Sequence, residues 1–248
     1  MLKAKALKKY FCKVKAVDGV DIELQEKQTL GIVGETGCGK TTLAKLLVGL
    51  YKPDEGGVYY KEKDIFLAKG RELKAIRKDI QMVFQDPFSS LDPKMRIKDI
   101  LKEGITIHDI VKPKDAPQRL NELLDMVEMP RAALNRYPHE LSTGEKQRIA
   151  IARALSCEPR IIICDEPVSS LDVSIQAKIL HLLMGLQRRL GLSYVFISHD
   201  ISIVKAISDR VAVMYNGKII EQGPSKQICE RPTQEYTREL MASANYAL

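Results

Sequence analysis

The chain has 248 residues, 45% of them hydrophobic and 29% charged, with a formal net charge of +7. This is the composition of a soluble globular protein with room for one large domain or two small lobes. No apolar run approaches the roughly 18 residues that span a bilayer, and the basic start "MLKAKALKKYFCK" lacks the apolar core and cleavage site of a secretory signal. Five cysteines at irregular spacing, with no CxxC pair, argue against a disulfide framework and a zinc site, and point to free thiols in a reducing compartment. The positive charge suits nucleotides, anionic lipid or nucleic acid equally, and equally a solvated lysine-rich surface.

Along the chain, "KAVDGVDIEL" (15–24) and "QTLGIVG" (28–34) read as strands joined by a polar turn. The second leads into "CGKTTLAKLLVGL", whose apolar residues recur at helical spacing until "YKPDEGG" ends the helix. "VYYKEKDI" (58–65) and "IQMVFQ" (80–85) are predicted strands. From about 88 to 158 helical pattern dominates, as in "APQRLNELLDMVEM" and "GEKQRIAIARALS", which suggests a helical insertion. Strand character returns in "RIIICDEP" (160–167), "LSYVFISHD" (192–200) and "RVAVMYNGKIIEQG" (210–223). Asn216-Gly217 in the last of these predicts a two-residue hairpin. Strands alternating with helices imply an α/β fold with a largely parallel, covered sheet.

Two stretches carry chemistry. Gly34-Glu35-Thr36-Gly37-Cys38-Gly39-Lys40-Thr41 fits GxxxxGK[ST] between a predicted strand and helix, with Thr42 next on that helix. Glycines at this spacing let backbone N–H groups turn inward around phosphate oxygens, and the helix adds its positive end. Lys40 is expected to reach the β- and γ-phosphates and Thr41 to supply a hydroxyl to Mg²⁺. Cys38 is read as small rather than reactive. In Ile161-Ile162-Ile163-Cys164-Asp165-Glu166-Pro167 an apolar, buried strand ends in two carboxylates. Phosphoryl transfer needs one carboxylate for Mg²⁺, assigned to Asp165, and one for the attacking water, assigned to Glu166.

The order of the phosphate loop, "VFQDP", "LSTGEKQR", "IIICDEP", "SSLD" and "FISHD" resembles the ATP-binding cassette family of transporter ATPases, over essentially the whole chain. That resemblance implies a P-loop NTPase fold: a RecA-like core with a mainly parallel central sheet, an N-terminal antiparallel β-subdomain and an inserted α-helical subdomain. It implies a single cassette domain over 1–248, with the core in 1–87 and 159–223, the helical subdomain in 88–158 and a C-terminal helical segment in 224–248. It implies ATP and Mg²⁺, with Gln85 sensing the γ-phosphate and metal, and Asp172 in the loop that couples the two sites of a dimer. His199 would be the switch histidine beside Glu166. Tyr10 or Phe11 would stack on adenine, with Tyr10 preferred.

The family pattern LSGGQ reads here Leu141-Ser142-Thr143-Gly144-Glu145. Ser142 with Glu145 three residues on is a capping box at a helix start. The same geometry suits an anion, and the resemblance implies that Ser142 and Gly144 contact the γ-phosphate of a partner cassette's site. Thr143 adds bulk there, and Glu145 adds a charge that repels a triphosphate if it faces inward. The variation therefore bears on the partner's site and leads to the expectation of a heterodimer, the isolated chain being a monomer or homodimer.

More narrowly, "QDPFSSLDPKMRI", "YPHELS" and "RPTQEYTREL" look like the subfamily serving oligopeptide, dipeptide and nickel importers. This implies docking on membrane permease subunits through the region after Gln85, at the cytoplasmic side of the membrane. An extracytoplasmic solute-binding protein would act indirectly, and no nucleic acid is expected. Many peptide-importing members carry several cysteines in this C-terminal region, where this chain has only Cys229. An iron–sulfur cluster therefore stays open, as does the solute among peptides, nickel or a metal chelate, and something else. The rival readings are a non-transport accessory cassette, for example of phosphonate breakdown, a translation or repair cassette, and a P-loop kinase or helicase.

Overall fold

The computed structural model describes residues 1–86 and 90–245, the last three of them as backbone. The chain begins with β1 (Leu2–Phe11), β2 (Val14–Leu24), β3 (Thr29–Val33), α1 (Lys40–Leu47), β4 (Glu55–Tyr60), β5 (Lys63–Asp64) and α2 (Gly70–Asp79). There follow β6 (Ile80–Val83), α3 (Ile97–Ile107), α4 (Ala116–Met126), α5 (Thr143–Leu155), β7 (Ile161–Asp165) and α6 (Val173–Leu190). The chain closes with β8 (Ser193–Ile197), α7 (Ile201–Ile207), β9 (Arg210–Tyr215), β10 (Lys218–Pro224), α8 (Ser225–Glu230) and α9 (Glu235–Asn245). Two compact units result: Met1–Ile76 with Ile163–Glu166 and Ser193–Leu248, and Arg77–Ile162 with Pro167–Leu192.

In the first unit an antiparallel sheet runs β2-β1-β4-β5. Its central strand β1 is the basic start of the chain, which carries no clean alternation. Leu2 and Ala4 point inward, then Ala6 takes φ 46° and Leu7 becomes the buried residue. A bulge thus shifts the two-residue phase in mid-strand, and Asp21 accepts the displaced Ala6 N–H at 2.9 Å. The single strand expected over 58–65 is instead a hairpin. Lys61 and Glu62 have φ of 50° and 65°, so the chain reverses there and Tyr60 pairs with Lys63.

The second sheet of this unit runs β10-β9-β3-β8 and on to β7. β3 is parallel to both β8 and β9. Every residue of β3, β7 and β8 is buried, as largely apolar strands covered on both faces require. The β9–β10 hairpin turns at Asn216 and Gly217, both at positive φ.

In the second unit, residues 88–158 contribute α3, α4 and α5, and α6 packs against α5. Ile97, Ile100, Leu101 and Ile105 of α3 are buried with Leu123 and Leu124 of α4 and Ile149 of α5. β6 neighbours β7, whose first two residues belong to this unit. α2 went unanticipated because Ile76 is its one buried side chain, so no apolar stripe marks it. Among the described residues no helix is long and apolar enough to cross a membrane.

Candidate active site

Buried β3 ends at Val33, and the chain turns through residues 34–39 into α1. Gly39 makes this possible: it sits at φ 111°, and a Cβ there would lie 2.0 Å from the Ala16 carbonyl oxygen. The loop is pinned from the other side by the β9–β10 turn, where the Gly217 N–H donates to the Cys38 carbonyl at 3.0 Å. The Gly217 carbonyl in turn accepts the Asp18 N–H at 2.8 Å. α1 starts on Gly39 with no side-chain cap and no acidic residue in its first turn. Its leading N–H groups and positive end are therefore offered to an external anion. Lys40, 5% exposed, donates to the carbonyls of Gly34 at 2.7 Å and Glu35 at 2.8 Å. The Glu35 N–H donates to the Tyr236 hydroxyl at 3.3 Å.

β7 delivers Asp165 beside this loop. Its carboxylate is 1% exposed and accepts from the Thr41 hydroxyl at 3.2 Å. Burial pushes the Asp165 carboxyl above its ordinary 3.8, the Thr41 hydroxyl opposes this, and the Glu166 charge adds to it. A hydroxyl and a carboxylate side by side are hard oxygen donors that fit Mg²⁺. Asp165 therefore binds its proton more tightly folded than unfolded, and the ionised form costs stability. That cost disappears as pH falls through the raised folded value towards the unfolded one. Asp165→Asn is expected to leave the nucleotide-free chain at least as stable as wild type at neutral pH, yet to abolish the melting shift given by Mg·ATP. A destabilised variant that still answers to Mg·ATP in thermal denaturation would contradict this.

Glu166 follows at φ 46°, a strained conformation for a residue with a side chain. It is held there by its N–H, which donates to the Ile197 carbonyl at 2.9 Å. Its Oε2 lies 3.3 Å from His199 Nδ1, with the Glu166 side chain 11% exposed and that of His199 51%. The geometry therefore brings together the loop, Lys40, Thr41, Asp165, Glu166 and His199 within one unit.

Gln85, Ser142, Gly144 and Asp172 belong to the other unit. Ser142 caps α5, and the capping box is complete. The Glu145 carboxylate accepts the Ser142 N–H and hydroxyl, both at 2.8 Å, and the Glu145 N–H donates back to the Ser142 hydroxyl at 3.3 Å. The Ser142 N–H first, then its hydroxyl, hold the Glu145 carboxyl below its ordinary range. The Glu145 charge, which would repel a triphosphate if it faced inward, is turned back onto its own helix start. Gly144 packs closely, since a Cβ there would come within 2.9 Å of Ile175. Asp172 caps α6 through the Ile175 N–H at 3.0 Å, with the Ser174 hydroxyl donating at 2.7 Å. Gln85 follows β6, and part of the docking region expected after it, residues 87–89, lies outside the described residues.

Tyr10 is half-buried and its hydroxyl donates to Asp18 at 2.7 Å, whereas Phe11 is 41% exposed and packs nearly perpendicular to the Tyr51 ring. Each ring has a lysine ammonium 5.6 Å from its centroid, Lys15 over Tyr10 and Lys9 over Phe11, and Phe11 is the more exposed of the two. Tyr236 and its stacking partner Tyr215 were not singled out beforehand. Nothing local in the sequence marks Tyr236 as a neighbour of the phosphate loop, from which it lies 201 residues away along the chain.

Comparison with known proteins gives the family. The family profile described as "ABC transporter" matches residues 17–169. The oligopeptide transport ATP-binding protein OppF of Bacillus subtilis (strain 168) is 45% identical, over 98% of this chain and 82% of that protein. The dipeptide transport ATP-binding protein DppF of Haemophilus influenzae is 44% identical, over 98% of this chain and 77% of that protein. Among solved structures, the cassette MJ0796, a dimer in a post-hydrolysis state bound to ADP and Pi, matches with a TM-score of 0.80 at 30% identity. The match covers 91% of this chain and 99% of that one.

Proposed function

The chain belongs to the ABC transporter family, and on that premise we propose that it is the ATP-hydrolysing subunit of a peptide importer. It is an ATPase that works with ATP and Mg²⁺. The observation that carries the assignment of roles is the convergence of Lys40, Thr41, Asp165, Glu166 and His199 around one phosphate loop. In this reading N–H groups of residues 36–42 cradle the phosphates, and Lys40 leaves the carbonyls of Gly34 and Glu35 for the β- and γ-phosphate oxygens. Thr41 and Asp165 would hold Mg²⁺, and the family resemblance implies Gln85 as a further ligand. When bound, the ion neutralises charge on the phosphate oxygens. Glu166 accepts the proton of the attacking water, and His199 hydrogen-bonds the γ-phosphate while its other ring nitrogen steadies that carboxylate. Phe11 stacks on the adenine.

Ser142 and Gly144 complete the site of a second cassette subunit across a dimer, and the altered signature favours a heterodimer. The dimer sits peripherally on the cytoplasmic side of the membrane, on permease subunits contacted by the segment after Gln85. Peptide is favoured over nickel because the relatives named above are peptide transport proteins. The test is ATPase activity of the complex purified with its permeases and reconstituted with the binding protein. Stimulation by peptides and not by Ni²⁺ is expected. Stimulation by Ni²⁺ alone would overturn the solute, and failure to recover any permease would favour a non-transport cassette.

A further inference from the structure

The stretch "RPTQEYTREL" (231–240) has no part in the roles above, yet the fold lays it against the phosphate loop. Glu221, on β10, accepts the N–H and hydroxyl of Thr233, both at 2.8 Å, and the Gln234 N–H at 3.2 Å. Three donors on one carboxylate fix the entry to α9, and with it Tyr236 in the first turn. They also hold the Glu221 carboxyl below its ordinary value against the opposing effect of burial. The Tyr236 ring rests on Tyr215 at the end of β9, with centroids 4.3 Å apart and planes at 40°.

The Tyr236 hydroxyl accepts the Glu35 N–H at 3.3 Å. That N–H belongs to the same planar peptide group as the Gly34 carbonyl, which accepts from Lys40 Nζ at 2.7 Å. The Gly34–Glu35 peptide is thus gripped on both edges, by Tyr236 on one and by Lys40 on the other. Because the group is planar and trans, it cannot rotate to release one bond without moving the other. Burial pushes the Tyr236 phenol up, so it stays neutral. Ring packing alone needs no hydroxyl at this point, and phenylalanine would serve a purely structural stack as well.

We propose that Tyr236 is a positioning residue for the nucleotide: its hydroxyl fixes the Gly34–Glu35 peptide plane, sets the orientation from which Lys40 is presented, and ties ATP affinity to the C-terminal helix. The inference rests on the reading of residues 34–42 as the ATP site. Tyr236→Phe removes the acceptor and keeps the ring on Tyr215. In the assembled complex it is expected to raise KM for ATP roughly threefold, in keeping with the loss of one modest hydrogen bond. ADP affinity, measured calorimetrically, should fall by the same factor, with kcat within about twofold and an unchanged melting temperature. Tyr236→Ala, which also loses the stack, is expected to lower the melting temperature as well. Wild-type KM and ADP affinity in Tyr236→Phe would overturn the proposal, and so would a fall in kcat and melting temperature with KM unchanged. Lys40→Ala is the control. If it binds ADP and ATP as tightly as wild type, the reading of the loop itself fails. If it loses affinity while Tyr236→Phe does not, only the role of Tyr236 fails.

Discussion

Replacing Glu166 by glutamine in the assembled complex is expected to lower ATP turnover by at least about 100-fold, the usual scale of a lost general base, while ATP still binds. The variant keeps the size and planarity of the side chain, so the strained backbone at φ 46° and the N–H bond to Ile197 have no cause to change. It loses the one property the reaction needs from this position, a carboxylate able to take a proton from water. Steady-state hydrolysis and equilibrium ATP binding, measured on the same preparation, separate the two effects. Near-normal hydrolysis would remove Glu166 from the chemistry and shift attention to Asp165.

Gly39→Ala is expected to destabilise the chain by about 3 kcal/mol and to abolish nucleotide binding, because a strained backbone and a steric clash coincide there. At φ 111° a side chain is disfavoured in itself, and the new Cβ would meet the Ala16 carbonyl oxygen, a backbone atom that cannot rotate away. Gly37 supplies an internal comparison. It also has positive φ, at 85°, but nothing lies within 4 Å of a Cβ built on it. Gly37→Ala is therefore expected to cost only about 1 kcal/mol, the conformational part alone. Chemical denaturation of both variants checks the difference. Equal costs would mean that the Ala16 contact relaxes and that conformation alone dictates glycine at both positions.

How much of this could be read beforehand depended on the range of the interactions. The capping box was legible because Ser142 and Glu145 are three residues apart and obey a local rule. β7 was legible as the unbroken apolar run Ile161–Cys164, β3 and β8 as strand-like stretches, and Asn216-Gly217 marked its hairpin. β1 escaped because its bulge at Ala6 breaks the alternation that would identify a strand. The hairpin at Lys61-Glu62 escaped because neither residue is a usual occupant of positive φ. The contact between Tyr236 and the phosphate loop spans 201 residues, and no periodicity or spacing rule reaches that far.

That separation bears on how the protein comes into being. The phosphate loop is complete once residue 41 has been synthesised, but its supports are not. Gly217 holds the Cys38 carbonyl, and Tyr236 holds the Glu35 N–H. Contacts so distant along the chain close late, after the nearer pairings have already reduced the entropy of the intervening segment. During synthesis the phosphate loop therefore waits for Gly217 and Tyr236 to be made before it can take its working shape. A chain interrupted before residue 215 would carry the complete phosphate-binding motif and still lack the clamps that shape it.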